Sequence, residues 1–238
     1  MPQPTPVIIT ISRQIGAGGR LLGQQLSHRL GWPYLDREIL QLAAARVGAS
    51  EASLAKWDER AVRLWERIVD SFALGPPENL YTSIPDAPTA PGHWLFELQS
   101  QVMREIAQRR SAIIIGRAAC WTLAGHPGLL RIYLHASVQW RIAQLVQAQA
   151  VGTPAQARAI IDRIDSQRQS FIQEMCGGRM GEASQYDLCI NRDSISLDAA
   201  TDMVLRMVRQ RQAQLEYPDA APSPPTTATA DQAKTHSQ

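Results

Sequence analysis

Short apolar runs alternate with longer amphipathic stretches along most of the chain. Val7 to Ser12 is apolar and β-branched, which predicts a buried strand. Gly16, Gly18 and Gly19 form a turn, after which Leu21, Leu22, Leu26 and Leu30 recur at helical spacing up to Gly31, a C-terminal cap. "WPYLD" predicts a brief second strand, and residues from Arg37 to Val47 a helix. Residues 51–75 continue a helical pattern carried by Leu54, Trp57, Val62, Leu64, Trp65, Ile68 and Phe72. A Pro-rich loop over 75–92 precedes a helix from His93 to Arg110. "SAIIIG" (111–116) and "LLRIYLHA" (129–136) are almost continuously apolar, as strands covered on both faces are. Helices are predicted over 137–150 and 154–175, a strand at "YDLCI" (186–190), and a helix over 196–215.

This order predicts an α/β fold: a three-layer arrangement with a parallel sheet of about five strands and helices on both faces. Ligands of such sheets bind beyond the carboxyl ends of the strands. Residues 1–6 are expected to be a flexible lead-in. The Pro/Ala/Thr-rich tail from Pro218 to Gln238 is expected to be disordered.

Composition changes this picture little. The net charge of +2 is too small to argue for a nucleic-acid polymer or a membrane surface as partner. Of 24 cationic Lys and Arg side chains only Lys56 and Lys234 are lysines. Arginine suits phosphate, since its planar fork stays charged and binds bidentately. Three cysteines show no C-x-x-C spacing, and Cys120 and Cys189 are expected in the core. No basic-then-apolar leader opens the sequence and no run approaches a membrane span, so a cytoplasmic location is expected.

The candidate chemistry lies in the first turn. A strand feeding a Gly-rich turn and a helix start aims several backbone N–H groups at one point, where the helix dipole adds positive charge. The standard pattern G-x-x-x-x-G-K-[ST] falls here on Arg13, Gly18, Gly19 and Arg20, so only one specified position matches. Gly19 stands where the lysine would reach the β- and γ-phosphates, and Arg20 where a hydroxyl would hold magnesium. Arg13 and Arg20 flank the turn and are the candidates to supply the charge.

"ITISRQIGAGGRLLGQQLSHRLGWPYLDREIL" resembles the cytidylate kinase-like family, in which a G-[SA]-G-G-R turn is usual. The resemblance continues, in the family's order, through "AIIIGRAA", "LRIYLHASVQWRI", "RIDSQRQSFI" and "YDLCINRDSISLDAA". It implies a P-loop kinase-like domain over 7–217, with a helical acceptor-binding insert (51–95) and a mobile lid region (141–180) that closes to exclude water. It implies transfer of the ATP γ-phosphoryl group, with Mg2+, to a nucleoside monophosphate such as CMP or dCMP. Ser12, Arg13, Gln14, Gly16, Ala17, Gly18, Gly19, Arg20 and Leu21 match the donor-phosphate loop. Asp36 matches the aspartate opening the monophosphate region, with Arg37 directly after it. Asp165 and Arg168 match an acidic/basic pair near the monophosphate. Arg117 matches the arginine of a Gly-Arg-Asp motif whose aspartate is Ala118 here. Arg141 matches the first lid arginine, while Gln144 and Leu145 stand at the basic pair that often follows. Arg20, Arg117, Arg141 and Arg168 are thus the catalytic candidates; the metal ligands are left open.

Bland readings compete. Asp36 would also serve as a helix N-cap. Arg141, Arg163 and Arg168 would also suit solvated helix faces, and at most one of Arg163 and Arg168 points inward. Two other functions stay open: a nucleotide-binding sensor or scaffold without turnover, favoured by the lysine gap, and a kinase for a non-nucleotide small molecule.

Overall fold

The structure, a computed structural model, describes residues 4–36 and 91–217. The helices expected within 37–75, most of the Pro-rich loop, Arg37, Trp57, Trp65 and the tail from Pro218 lie outside the described residues.

Five parallel strands form one sheet in the order β2-β3-β1-β4-β5. They are β1 (Ile8–Arg13), β2 (Tyr34–Leu35), β3 (Ala112–Ile115), β4 (Leu129–His135) and β5 (Leu188–Asn191). The helices are α1 (Gly19–Leu30), α2 (Pro91–Arg109), α3 (Ala119–Thr122), α4 (Val138–Gln147), α5 (Pro154–Cys176) and α6 (Leu197–Glu216). The expected α/β architecture is therefore present. The short helix α3 and a 3-10 turn at Ala183–Gln185 are additions that the apolar pattern did not predict.

Alternation along the strands sorts the core into two layers. Ile9 and Ile11 of β1, Ile113 and Ile115 of β3 and Leu130, Ile132 and Leu134 of β4 pack on Leu22 and Leu26 of α1 and Val204 and Val208 of α6. Ile8, Ala112, Ile114 and Leu129 face the other way, onto Val102, Met103 and Ile106 of α2 and Leu123. Both faces are covered, which is why these strands are nearly all apolar.

Side-chain caps set several helix starts. Ser137, Thr153 and Ser196 cap α4, α5 and α6, and Thr153 forms a reciprocal capping box with Gln156 ahead of Pro154. Gly31, in the left-handed conformation, ends α1 by donating its N–H to the Ser27 carbonyl.

Cys189 is a correction. It is exposed, not in the core, because β5 is the edge strand and the alternation that buries Ile190 turns Cys189 outward. Cys120 is buried as expected, and burial pushes its thiol up to about 12.

The β4–β5 edge is held by Arg131 and Asp187. The Asp187 carboxylate accepts from the Arg131 backbone N–H at 2.8 Å and from its guanidinium at 2.9 Å. Burial works against this carboxylate, but the Arg131 bonds outweigh it and hold the carboxyl below the usual carboxylate range. A depressed folded-state value stabilises above the unfolded carboxylate's range and fades as pH falls through the folded one. Asp187→Asn should therefore cost about 1 kcal/mol at pH 6 and progressively less toward pH 3, measured by urea unfolding at each pH.

Candidate functional site

β1 is the central strand and the chain crosses to opposite sides of it, to β3 on one side and β4 on the other. Its carboxyl end is therefore the switch point of the sheet, the place where open α/β sheets bind their ligands. The turn of residues 14–18 fills that point and leads into α1.

The loop is fixed on several sides. Gln14 donates its N–H to the Leu134 carbonyl, and its side-chain oxygen accepts from Ala136 N at 3.1 Å, tying it to the end of β4. Ile15 is buried among Leu145, Ala157, Ile161 and Ile164 of α4 and α5. The Asp165 carboxylate accepts from Ile15 N at 2.9 Å and from the Arg141 guanidinium at 2.5 Å. Arg141 also donates to the carbonyls of Ala136 and Ile15 and is only 3% exposed. It does not lie on a solvated helix face; it reaches the loop from behind as a brace. Ala17 is fully buried against the main core.

The front of the loop has the opposite character. Gly18, the N-cap of α1, has φ 83° and offers no side-chain cap, and the first turn of α1 holds no acidic residue. The first N–H groups of a helix have no partner within it, so these amides and the dipole converge where an anion would sit.

Arg13 lies against Gly19, the position of the missing lysine. A β-carbon on Gly19 would lie 2.9 Å from Arg13 Cγ and 3.1 Å from its Cβ. The Arg13 stem thus crosses the space that any side chain at position 19 would need. Its guanidinium continues to Gly116, where Nη1 takes up the space a β-carbon would need. The cation runs from the end of β1 to the turn that follows the neighbouring strand β3. Arg168 of α5 donates to the Arg13 carbonyl at 3.0 Å and so fixes the point from which that side chain departs.

Beyond Gly116 the backbone is strained. Gly116, Arg117 and Ala118 all have positive φ (66°, 58° and 55°), the last two without a glycine's freedom. This turn places Arg117, half-buried, directly after the carboxyl end of β3. Ser12, at the end of β1, contacts Cys120 at 3.5 Å behind it. Arg20 and Asp36 come within 3.9 Å of each other at the β2 side, with Arg20 41% exposed. Leu21 is exposed. Of the two helical arginines, Arg168 points inward and Arg163 is exposed.

Arg192 was missed in the sequence, although it lies in the last stretch carrying the resemblance. It directly follows β5, and its Nε lies 3.7 Å from where a β-carbon on Gly18 would be. Its position after a strand's carboxyl end was the available signal.

Among the described residues, no three His, Cys, Asp or Glu side chains converge as a metal-binding group. The uncapped start of α1, with no acid in its first turn, fits the polyphosphate itself. No helix among the described residues is long and apolar enough to cross a membrane.

A glycine turn at the switch point of a five-stranded parallel sheet, bordered by guanidinium groups, defines an α/β protein that gathers main-chain amides and cations at the end of its first strand. The family model of the cytidylate kinase-like family matches residues 8–194, and the chain belongs to that family. An uncharacterised protein from Eubacterium ventriosum ATCC 27560 is similar in structure, with 20% identity, a TM-score of 0.60, and coverage of 85% of this chain and 98% of that one. A shikimate kinase from Bacteroides thetaiotaomicron matches at 14% identity and TM-score 0.46, covering 85% and 98%. A gluconokinase from Sinorhizobium meliloti 1021 matches at 14% and 0.44, covering 90% and 94%. No curated protein matches. Membership of a kinase-like family supports phosphoryl transfer in general as the chemistry of this fold.

Proposed function

We propose that the protein transfers the γ-phosphoryl group of ATP, with Mg2+, to a nucleoside monophosphate, CMP or dCMP first among the acceptors. The observation that carries this reading is the loop itself: uncapped amides at the start of α1 with Arg13 laid across Gly19 and Gly116. Phosphoryl transfer asks the protein mainly for positioning and for cations around the migrating group. In this reading the amides of residues 16–20 hold the donor phosphates. Arg13 supplies the charge that the lysine would otherwise bring, and Arg20 adds to it from the β2 side. Arg117 and Arg168 neutralise the migrating group and the acceptor, while Arg141 and Asp165 keep the loop in shape. Asp36 opens the acceptor side.

A coupled assay with ATP, Mg2+ and CMP, dCMP, UMP or AMP tests the reading, beside calorimetric titration of ATP. Nucleoside diphosphate formed from CMP or dCMP in preference to the others is the expected result. Gly19 at the lysine position favours a second reading, a nucleotide sensor without turnover. ATP binding with no product from any acceptor, a wider panel of small hydroxyl compounds included, would point to it.

A further inference from the structure

Arg192 is a buried cation that meets no carboxylate among the described residues. It is 9% exposed and forms no ion pair among the described residues. Its Nη1 donates to the Ile195 carbonyl, and its guanidinium carbon lies 5.7 Å from the centroid of the Trp140 ring, which holds the plane of the fork. Among the described residues its Nε has no hydrogen-bond partner, and it is shut off from solvent. The nearest acid in sequence, Asp193, is engaged elsewhere, accepting from the N–H and hydroxyl of Ser137. Burial pulls the guanidinium below the usual arginine value, as expected for a cation without a counter-charge.

An unpaired buried charge is costly, and its neighbour here increases the cost. Nε lies 3.7 Å from the β-carbon position of Gly18, the uncapped N-terminus of α1. Two sources of positive potential, a helix start and a desolvated guanidinium, therefore meet on the β5 side of the loop. Arg13 borders the same loop from the β3 side. What reconciles such an arrangement is an anion held against both, by the outer edge of the guanidinium and the first amides of α1.

We propose that Arg192 is a phosphate-binding residue, closing the polyphosphate site over Gly18 from the β5 side. Arg13 and Arg192 then grip the phosphates from opposite flanks, and the ligand class is a polyphosphate chain rather than a single carboxylate. The proposal rests on the reading of the glycine loop as the donor site.

The test is calorimetric titration of the full chain with inorganic tripolyphosphate, ATP and adenosine, for wild type, Arg192→Ala, Arg192→Gln and Arg13→Ala. Arg192→Gln removes the charge but keeps the aliphatic stem as far as Cδ and a polar amide, so it carries the test if the alanine variant does not fold. Both Arg192 variants should lose tenfold or more in affinity for tripolyphosphate and for ATP alike. Wild type binding tripolyphosphate while both Arg192 variants bind it equally well overturns the proposal and leaves the donor site standing. Loss confined to ATP and adenosine likewise overturns it, assigning Arg192 to the base. Failure of wild type to bind either ATP or tripolyphosphate removes the donor-site reading, and this inference with it.

Discussion

Asp165→Ala should lower the thermal unfolding midpoint by about 10 °C. The carboxylate is the ion-pair partner of Arg141, whose side chain is 4% exposed, and it also receives the Ile15 N–H inside the loop. Removing it leaves a buried guanidinium facing the carbonyls of Ala136 and Ile15 and a loop amide with its acceptor gone. Breaking one half of a buried pair costs about 3 kcal/mol or more, because the remaining charge stays desolvated. At about 2–4 °C per kcal/mol for a domain of this size, the shift is on the order of 10 °C. Asp165→Asn keeps an acceptor for Ile15 and should fall between wild type and alanine. Scanning calorimetry reads both, and a shift below about 2 °C for the alanine variant would show that Arg141 finds compensation elsewhere.

Gly19→Lys, which writes the missing lysine back into the motif, should weaken ATP binding rather than strengthen it. The new β-carbon would press on Arg13 Cγ at 2.9 Å and Cβ at 3.1 Å, atoms close to the strand and unable to swing away. Overpacking of this kind costs about 1–3 kcal/mol. The displaced Arg13 would also lose its path across Gly116. Arg13→Ala alone should lower ATP affinity by about tenfold, about 1.4 kcal/mol. The double variant Arg13→Ala/Gly19→Lys should regain part of that loss, since the clash is gone and an ammonium again reaches the phosphates. A recovery in the double variant relative to both single variants, by calorimetry, is the decisive pattern. A Gly19→Lys single variant with wild-type affinity would mean that Arg13 does not occupy this space in solution.

Much of the fold was legible because both layers of the core depend on runs that a strand or helix period reveals. "AIII" and "LLRIYLH" are apolar at consecutive positions since helices cover both sheet faces, and the glycine turn fell between β1 and α1 as its composition demands. The edge strand was harder. Its sequence, Leu-Cys-Ile-Asn, looks buried, yet one side faces solvent and Cys189 is turned outward. Helix α3 is too short to show a period.

The site was legible where it is local and hidden where it is assembled across the chain. Gly16 to Arg20 announce themselves by composition. The contact of Arg13 with Gly116 spans a crossover, as does the bond from Asp165 to Ile15, and spacing along the chain carries no trace of either. Arg141 shows the same limit: helical periodicity gives the face a residue occupies, not which backbone carbonyls it meets there. Arg192 sits at the end of a strand of only four residues, where the pattern gave little reason to single out one cation.

Asp165 and Arg168 are one turn apart on α5, and each grips main chain at the exit of β1, one at Ile15 and the other at Arg13. The helix is therefore clamped to the loop at two points rather than hinged at one. A rotation or axial slide of α5 would drag both, so whatever pulls on the far end of this 23-residue rod acts as a lever on the first strand's exit.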